Sequence, residues 1–288
     1  MKRFSKKTEY GIFTDIPNEK YHSEIPAISK GDLDKINRSP FMFMEQVAGL
    51  YKQEETPAMQ FGSLVHTALL EPDKLIKNYA SDELFLELGG RTSKAYKDAV
   101  KEYLDTNKGI SLVKADDWAS LQKIMQEAKS NELISELLTD GVAEQTIVWK
   151  EEGLNFRCRP DYMREWAGKT LAIDIKTTKN IKEFERTIAN FRYHVQAAHY
   201  MAGLTEVMKK ECLFVFIILE NQYPFASRIV ALNDMTLKLG SDTRQKDIDT
   251  LKECIKSNTF PKYERFATPE IEVVDVPAWA FYNTEFNR

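Results

Sequence analysis

The chain is short of cysteine, of long apolar runs and of any excess of basic charge. Its three cysteines, Cys158, Cys212 and Cys254, lie far apart and form no Cys-x-x-Cys pair. That spacing argues against a disulfide framework, a zinc ribbon and a four-thiolate iron–sulfur cluster. No apolar run approaches the ~20 residues a membrane span needs. The opening Met1-Lys2-Arg3-Phe4-Ser5-Lys6-Lys7 is basic with no apolar segment behind it, so a soluble cytoplasmic protein is expected. Neither Gly-x-x-x-x-Gly-Lys-Ser/Thr nor Gly-x-Gly-x-x-Gly occurs, and use of ATP or a dinucleotide is not expected. Lys plus Arg total 40 against 44 Asp plus Glu, a formal charge of -4. Such a balance excludes a basic nucleic-acid coat, and any contact with DNA must be local.

What is present is enough for a full core: 288 residues, 43% hydrophobic and 29% charged, with no internal repeat or low-complexity segment. Residues 1–140 read as mainly helical. Ser29 before Lys30, and Ser39-Pro40 before Phe41, are helix-start signals. Gly62-Ser63-Leu64-Val65-His66-Thr67-Ala68-Leu69-Leu70-Glu71 has the apolar density of a buried helix, ended by Pro72. Residues 83–106 and 115–138 are amphipathic, with Gly89-Gly90 marking a turn or C-cap.

Near residue 142 the period changes to two. The spacing predicts three antiparallel strands over 143–149, 155–163 and 170–177, with turns at Glu151-Glu152-Gly153 and Trp166-Ala167-Gly168-Lys169. A helix over 190–209, an interior strand over 212–219, another strand over 226–232 and a helix over 234–257 complete a mixed α/β (α+β) core spanning 141–260. Residues 261–288, with Pro261, Pro269 and Pro277, are expected to form an irregular strap within one domain.

The most informative feature is Pro160-Asp161 followed by Asp174-Ile175-Lys176. Residues two apart on a strand share a face, so Asp174 and Lys176 project together and Asp161 on the antiparallel neighbour can meet them. Phosphodiester hydrolysis needs a hard cation held by carboxylate oxygens to neutralise charge and activate a water. Asp161 and Asp174 supply such oxygens, the Ile175 carbonyl is a third candidate, and Lys176 suits orientation of the water or stabilisation of the pentavalent phosphate. Glu144, on the preceding strand, is an extra candidate ligand. A surface strand carrying Asp174 and Lys176 could simply be solvated, yet this is the only Asp-x-Lys in the chain. Asp174 also interrupts Leu171-Ala172-Ile173 and Ile175, where an unpaired charge costs several kcal/mol.

These motifs, with the helical Gln196-Ala197-Ala198-His199-Tyr200, resemble the PD-(D/E)xK nuclease superfamily, and Gln-x-x-x-Tyr is the mark of its RecB-like branch. The helix bearing His66 is similar to the histidine helix of that branch. Closer still, Tyr21-His22 through Ile28-Ser29-Lys30, Leu69-Leu70-Glu71-Pro72, Arg157-Cys158-Arg159-Pro160-Asp161, Asp174-Ile175-Lys176-Thr177-Thr178 and Tyr193-His194-Val195-Gln196 resemble the RecE (exonuclease VIII) nuclease domain family over about residues 21–280.

The resemblance implies a restriction-endonuclease-like core, a mixed sheet flanked by helices, with an N-terminal helical elaboration. It implies a prophage-type 5′-to-3′ exodeoxyribonuclease on linear double-stranded DNA, using Mg²⁺ with Mn²⁺ as a substitute. A homotetrameric ring and a RecT-like single-strand annealing partner belong to the same implication. Carried over, the roles fall on His66 as a metal ligand or an orienter of its water, and on Glu144, Asp161, Asp174, Lys176, Gln196 and Tyr200, the last two holding a phosphate or Lys176. Arg157, Arg159, Lys179 and Arg192 stand in a locally basic segment expected to track phosphates. Two rivals remain at this level: an endonuclease of the same superfamily, and a catalytically silent DNA-binding subunit.

Overall fold

A computed structural model describes residue 4 and residues 8–51, 54–263 and 273–277. The chain opens with β1 (Gly11–Phe13), α1 (Asn18–Ser23), α2 (Lys30–Arg38) and α3 (Pro40–Val47). Ser29 and Asp32 close a reciprocal capping box at the start of α2, and Ser39 with Pro40 at the first position starts α3. Helix α4 (Pro57–Leu70) carries His66. Pro72 does more than end it: lacking an N–H that the first turn would leave unpaired anyway, it opens α5 (Pro72–Asn78). The amphipathic stretch 83–106 is split by Gly89, at φ 95°, into a 3₁₀ segment (Asp82–Leu88) and α6 (Lys94–Thr106). Two strands too short to show a period, β2 (Tyr79–Ser81) and β3 (Ser111–Val113), pair in parallel. Asn131 caps a new helix inside 115–138, giving α7 (Ala115–Ser130) and α8 (Glu132–Leu137).

The remaining elements are β4 (Val142–Ala143), β5 (Thr146–Glu151), β6 (Leu154–Cys158), β7 (Tyr162–Trp166), β8 (Lys169–Thr178), α9 (Phe184–Asn190), α10 (Tyr193–Met208), β9 (Cys212–Glu220), β10 (Ser227–Val230) and α11 (Asp234–Ser257). They form a mixed five-stranded sheet in the order β10-β9-β8-β7-β4 and a three-stranded sheet β1-β5-β6. Two of the expected strands are therefore each divided between the two sheets. Residues 155–163 break at Arg159-Pro160-Asp161, where proline cannot donate to a ladder. Residues 143–149 break at Glu144, whose φ is 56°. The turns fall where expected: Glu152 (φ 48°) with Gly153 (φ 82°), and Ala167 (φ 49°) with Gly168 (φ 77°), supply the paired left-handed residues of tight hairpins.

The pleat of β8 assigns its residues to two cores. Leu171, Ile173 and Ile175, with Ile217 and Leu219 of β9, pack with Leu64 and Val65 of α4 and Leu121, Ile124 and Ile134 of α7 and α8. Ala172 and the β9 residues Phe214, Phe216 and Ile218 pack toward Ala197 and Leu204 of α10, Ile248 and Leu251 of α11, and the three-stranded sheet. By alternation Asp174 and Lys176 lie on the α10 side. Helices α10 and α11 approach closely: a Cβ on Gly240 would stand 2.1 Å from the His194 carbonyl oxygen. Of the expected strap, the Pro261 carbonyl accepts from the Phe41 N–H at 3.0 Å, while 264–272 and 278–288, with Pro269, lie outside the described residues. Among the described residues no helix is long and apolar enough to cross a membrane.

Candidate active site

The site grows from an unpaired strand edge. β7 begins at Tyr162, opposite Ile173, so Ile175 lies two residues beyond the last pair of that ladder. Its N–H and C=O need other partners. The N–H donates to Asp161 Oδ2 at 2.5 Å, and His66 Nε2 donates to the carbonyl oxygen at 2.9 Å. His66 Nδ1 stands 3.3 Å from Asp161 Oδ1. With acceptors at both ring nitrogens the imidazole is held as imidazolium. Burial opposes that charge, but Asp161 outweighs it and raises the pKa to about 9. Asp161, although burial works against its charge, is pulled below the usual carboxylate range by His66, Lys176 and the Ile175 N–H.

Glu144 reaches the same place from the crossing between sheets, its N–H donating to the Asp161 carbonyl at 3.0 Å. Burial, then the charge of Asp161, pushes its carboxyl up to about 7. Ligand atoms of His66, Glu144 and Asp161 all lie within 4.8 Å of one another. One imidazole and two carboxylates in that span suit a divalent cation. Glu144 is thus placed by a left-handed backbone at a strand break, a costly conformation for a non-glycine residue.

Asp174 stands beside Lys176, as the alternation predicts. It does not join that cluster: Gln196 Nε2 donates to its Oδ1 at 2.5 Å, and Lys176 Nζ lies 2.5 Å from its Oδ2. Burial raises the Asp174 pKa against the pull of Lys176. Lys176 is itself held protonated, because Asp174 outweighs its burial. Two buried carboxylates repel, so Asp161 takes the imidazolium and Asp174 the ammonium. The Ile175 carbonyl, expected as a ligand, accepts from His66 Nε2. Gln196 bonds Asp174 rather than Lys176, and Tyr200 packs edge-on to Phe214 at 5.7 Å while lining the cavity.

A cavity of about 850 Å³ is lined by His66, Glu144, Asp161, Lys176, Gln196 and Tyr200, and also by Asn18, Tyr21, His22 and Lys30. Of the basic residues expected to track DNA, only Lys179 has an exposed side chain. Arg157 and Arg159 are buried in the cavity wall, their guanidinium carbons 4.8 and 4.1 Å from the Tyr21 ring. Arg159 also donates to Thr146 Oγ1 at 2.7 Å and to the Ile16 carbonyl at 2.9 Å. Arg192 pairs with Asp247 and, at 3.3 Å, with Asp34, tying α10 to α11 and α2. Buried guanidinium groups find nearby acceptors because leaving them unpaired is costly. Of the expected phosphate track, Arg157, Arg159 and Arg192 therefore make internal contacts, the first two in the cavity lining, and Lys179 alone is exposed.

Two site residues stood in the sequence motifs without an assigned role. Lys30, in the cavity wall, donates to the Phe191 carbonyl at 2.8 Å and pairs with Asp34 at 2.7 Å. Tyr193 lies with its ring centroid 4.7 Å from Lys176 Nζ. Its spacing of three from Gln196 and seven from Tyr200, one face of a helix, was the available signal.

Fold and site together define a PD-(D/E)xK-like domain, a mixed sheet in which Asp161 binds the Ile175 N–H at the strand edge and Asp174 and Lys176 flank Ile175 on β8. The chain belongs to the family described as PDDEXK-like domain of unknown function, DUF3799, which matches residues 29–268. This agrees with the resemblance to RecE-like PD-(D/E)xK nucleases. A crystal structure of a protein from Eubacterium rectale, named an exonuclease by assignment, is similar at TM-score 0.62 and 13% identity, covering 93% of this chain and 98% of that one. At that identity the likeness speaks for the fold alone. SSO0001 aligns over 72% of this chain and 91% of its own at 14% identity and TM-score 0.29, too loosely to support an argument. No curated protein matches the chain.

Proposed function

We propose that this protein is a metal-dependent exodeoxyribonuclease that degrades linear double-stranded DNA from 5′ to 3′, leaving 3′ single strands for a RecT-like annealing partner. The observation that carries the nuclease reading is the convergence of His66, Glu144 and Asp161 beside the Asp174–Lys176 pair in one open cavity. The polarity, the linear substrate, the partner and a homotetrameric ring rest on the resemblance to the RecE family. The exonuclease name of the Eubacterium rectale protein supports exonuclease action and carries nothing on these finer points.

His66, Glu144 and Asp161 would hold Mg²⁺, with Mn²⁺ as a substitute, and Asp174 directly precedes Ile175, whose N–H donates to Asp161. When bound, the cation neutralises phosphate charge and lowers the pKa of a water. His66 and Glu144 give up their protons to act as ligands. Gln196 keeps Asp174 turned toward Lys176, and the Lys176 ammonium meets the negative charge that builds on the phosphate during attack. A ring would let basic surfaces face an inner channel while the acidic remainder of a chain of charge -4 faces outward.

Linear duplex labelled separately at its 5′ and 3′ ends, incubated with Mg²⁺ or EDTA beside covalently closed circles and with Asp174→Ala as control, tests this reading. Metal-dependent release of the 5′ label from linear DNA alone, lost in the variant, is the expected result. Cut circles would replace it with an endonuclease, and absence of cleavage with every divalent metal with a silent DNA-binding subunit.

A further inference from the structure

We propose that Tyr193 is a positioning residue for Lys176: the face of its ring holds the ammonium in place independently of Asp174. The functional sense of the contact rests on the nuclease reading above. A lysine side chain is a point charge on a flexible four-carbon stem, and one ion pair fixes the distance of Nζ from a single atom without fixing its direction. Asp174 Oδ2, at 2.5 Å, is one anchor. The Tyr193 ring, with its centroid 4.7 Å from Nζ, is the second, well inside the reach of a cation–π contact.

The ring is itself immobilised. Phe191 stacks on it at 5.9 Å and 24°, Phe184 lies at 5.9 Å and Phe216 at 5.6 Å, the last two buried. Lys30 Nζ is 6.0 Å from the same centroid, but it is engaged by Asp34 and the Phe191 carbonyl, which leaves Lys176 as the nearer cation. The two anchors differ in kind. Asp174 is a carboxylate that also accepts from Gln196, so its charge serves two partners. The ring acts through the quadrupole of its face, which takes no hydrogen from Gln196. Helix α10 therefore grips both side chains of the Asp-x-Lys pair from one face, Gln196 fixing Asp174 and Tyr193 fixing Lys176.

The full-length protein with Tyr193→Phe and Tyr193→Leu distinguishes ring from hydroxyl. Single-turnover cleavage is expected to stay within about twofold for Tyr193→Phe and to fall about tenfold for Tyr193→Leu, with KM nearly unchanged. A second readout needs no activity: in metal-free protein the Lys176 ε-methylene protons, assigned through Lys176→Arg, are expected to be shifted upfield by the ring in wild type and Tyr193→Phe and to return to ordinary positions in Tyr193→Leu. Should Tyr193→Leu fail to fold by circular dichroism, Tyr193→Met removes the ring while filling similar space. Equal losses in the Phe and Leu variants, or an unshifted lysine in the wild type, would overturn the proposal. So would a Leu variant that loses the shift and keeps full activity. Wild-type protein that cuts no DNA yet shows the shift would sink the nuclease reading and leave the holding contact standing.

Discussion

One face of the five-stranded sheet presents Leu171, Ile173, Ile175, Ile217 and Leu219 to α4, α7 and α8, while the other carries Asp174 and Lys176 under α10, whose Gln196 donates to Asp174. Beyond them on that second side lies a buried polar network. His199 Nε2 donates to the Arg157 carbonyl at 2.9 Å, Arg244 donates to His199 Nδ1 at 3.2 Å, and Arg244 clasps Glu151 at 2.5 and 2.8 Å. The first face supplies burial and little chemistry. The second keeps charges out of water only because each finds a partner. His66 belongs to α4 on the apolar side yet reaches the Ile175 carbonyl, so the candidate site forms at the strand edge, where the two halves meet.

The comparison breaks most sharply through Asp174→Asn. Cleavage should drop at least ~1000-fold, since the lost charge stabilisation is worth several kcal/mol, while the protein stays folded. Single-turnover rates with a thermal melt in EDTA check both halves, and a collapsed fold with normal specific activity would reverse the assignment of roles.

Next in size is Leu121→Ala, on the apolar side and fully buried. It should cost about 2–5 kcal/mol of stability by denaturant titration, with the rate per folded molecule unchanged. Gly240→Ala forces α11 off α10 beneath the polar face and should cost about 1–3 kcal/mol. If it also slows cleavage more than Leu121→Ala does, the seating of α10 matters to the site.

Mg²⁺ at 100 times its Kd should add about 2.7 kcal/mol to stability, and Asp161→Asn should remove most of that increment. An undiminished effect in the variant would place the ion elsewhere.

The smallest effect is a slope with pH. Burial, then the Arg244 guanidinium, holds the His199 pKa down to about 3 against 6.5 for an ordinary imidazole. Between those values the unfolded chain takes up a proton that the folded chain refuses. The contribution of a neutral His199 is therefore complete above about pH 6.5 and declines as the pH falls, by up to ~1.4 kcal/mol per unit. Denaturation midpoints measured from pH 7 down to 4 should show this decline flattened in His199→Gln.

Much of this was legible along the chain. The capping signals at Ser29 and Ser39, the turns at Glu152-Gly153 and Ala167-Gly168, and the long helix over 234–257 are local, and the structure has them where their residues stand. The alternation through Asp174 and Lys176 placed both on one face because a pleat repeats every two residues. The strand breaks at Glu144 and Pro160 were harder to read, since either half of each segment alternates acceptably and only pairing in two different sheets separates them.

The sequence by itself determined which residues hold charge in an apolar setting and which motifs recur in order, because residue type and spacing are properties of the chain. Only the tertiary structure decided how those charges divide. Asp161 went with His66 and Glu144, Asp174 with Lys176 and Gln196, and Arg157, Arg159 and Arg192 with internal acceptors. The physical reason is that partners from 2 residues apart, as Asp174 and Lys176 are, to 158 apart, as Arg192 and Asp34 are, compete for the same buried charges, and proximity in space settles that competition.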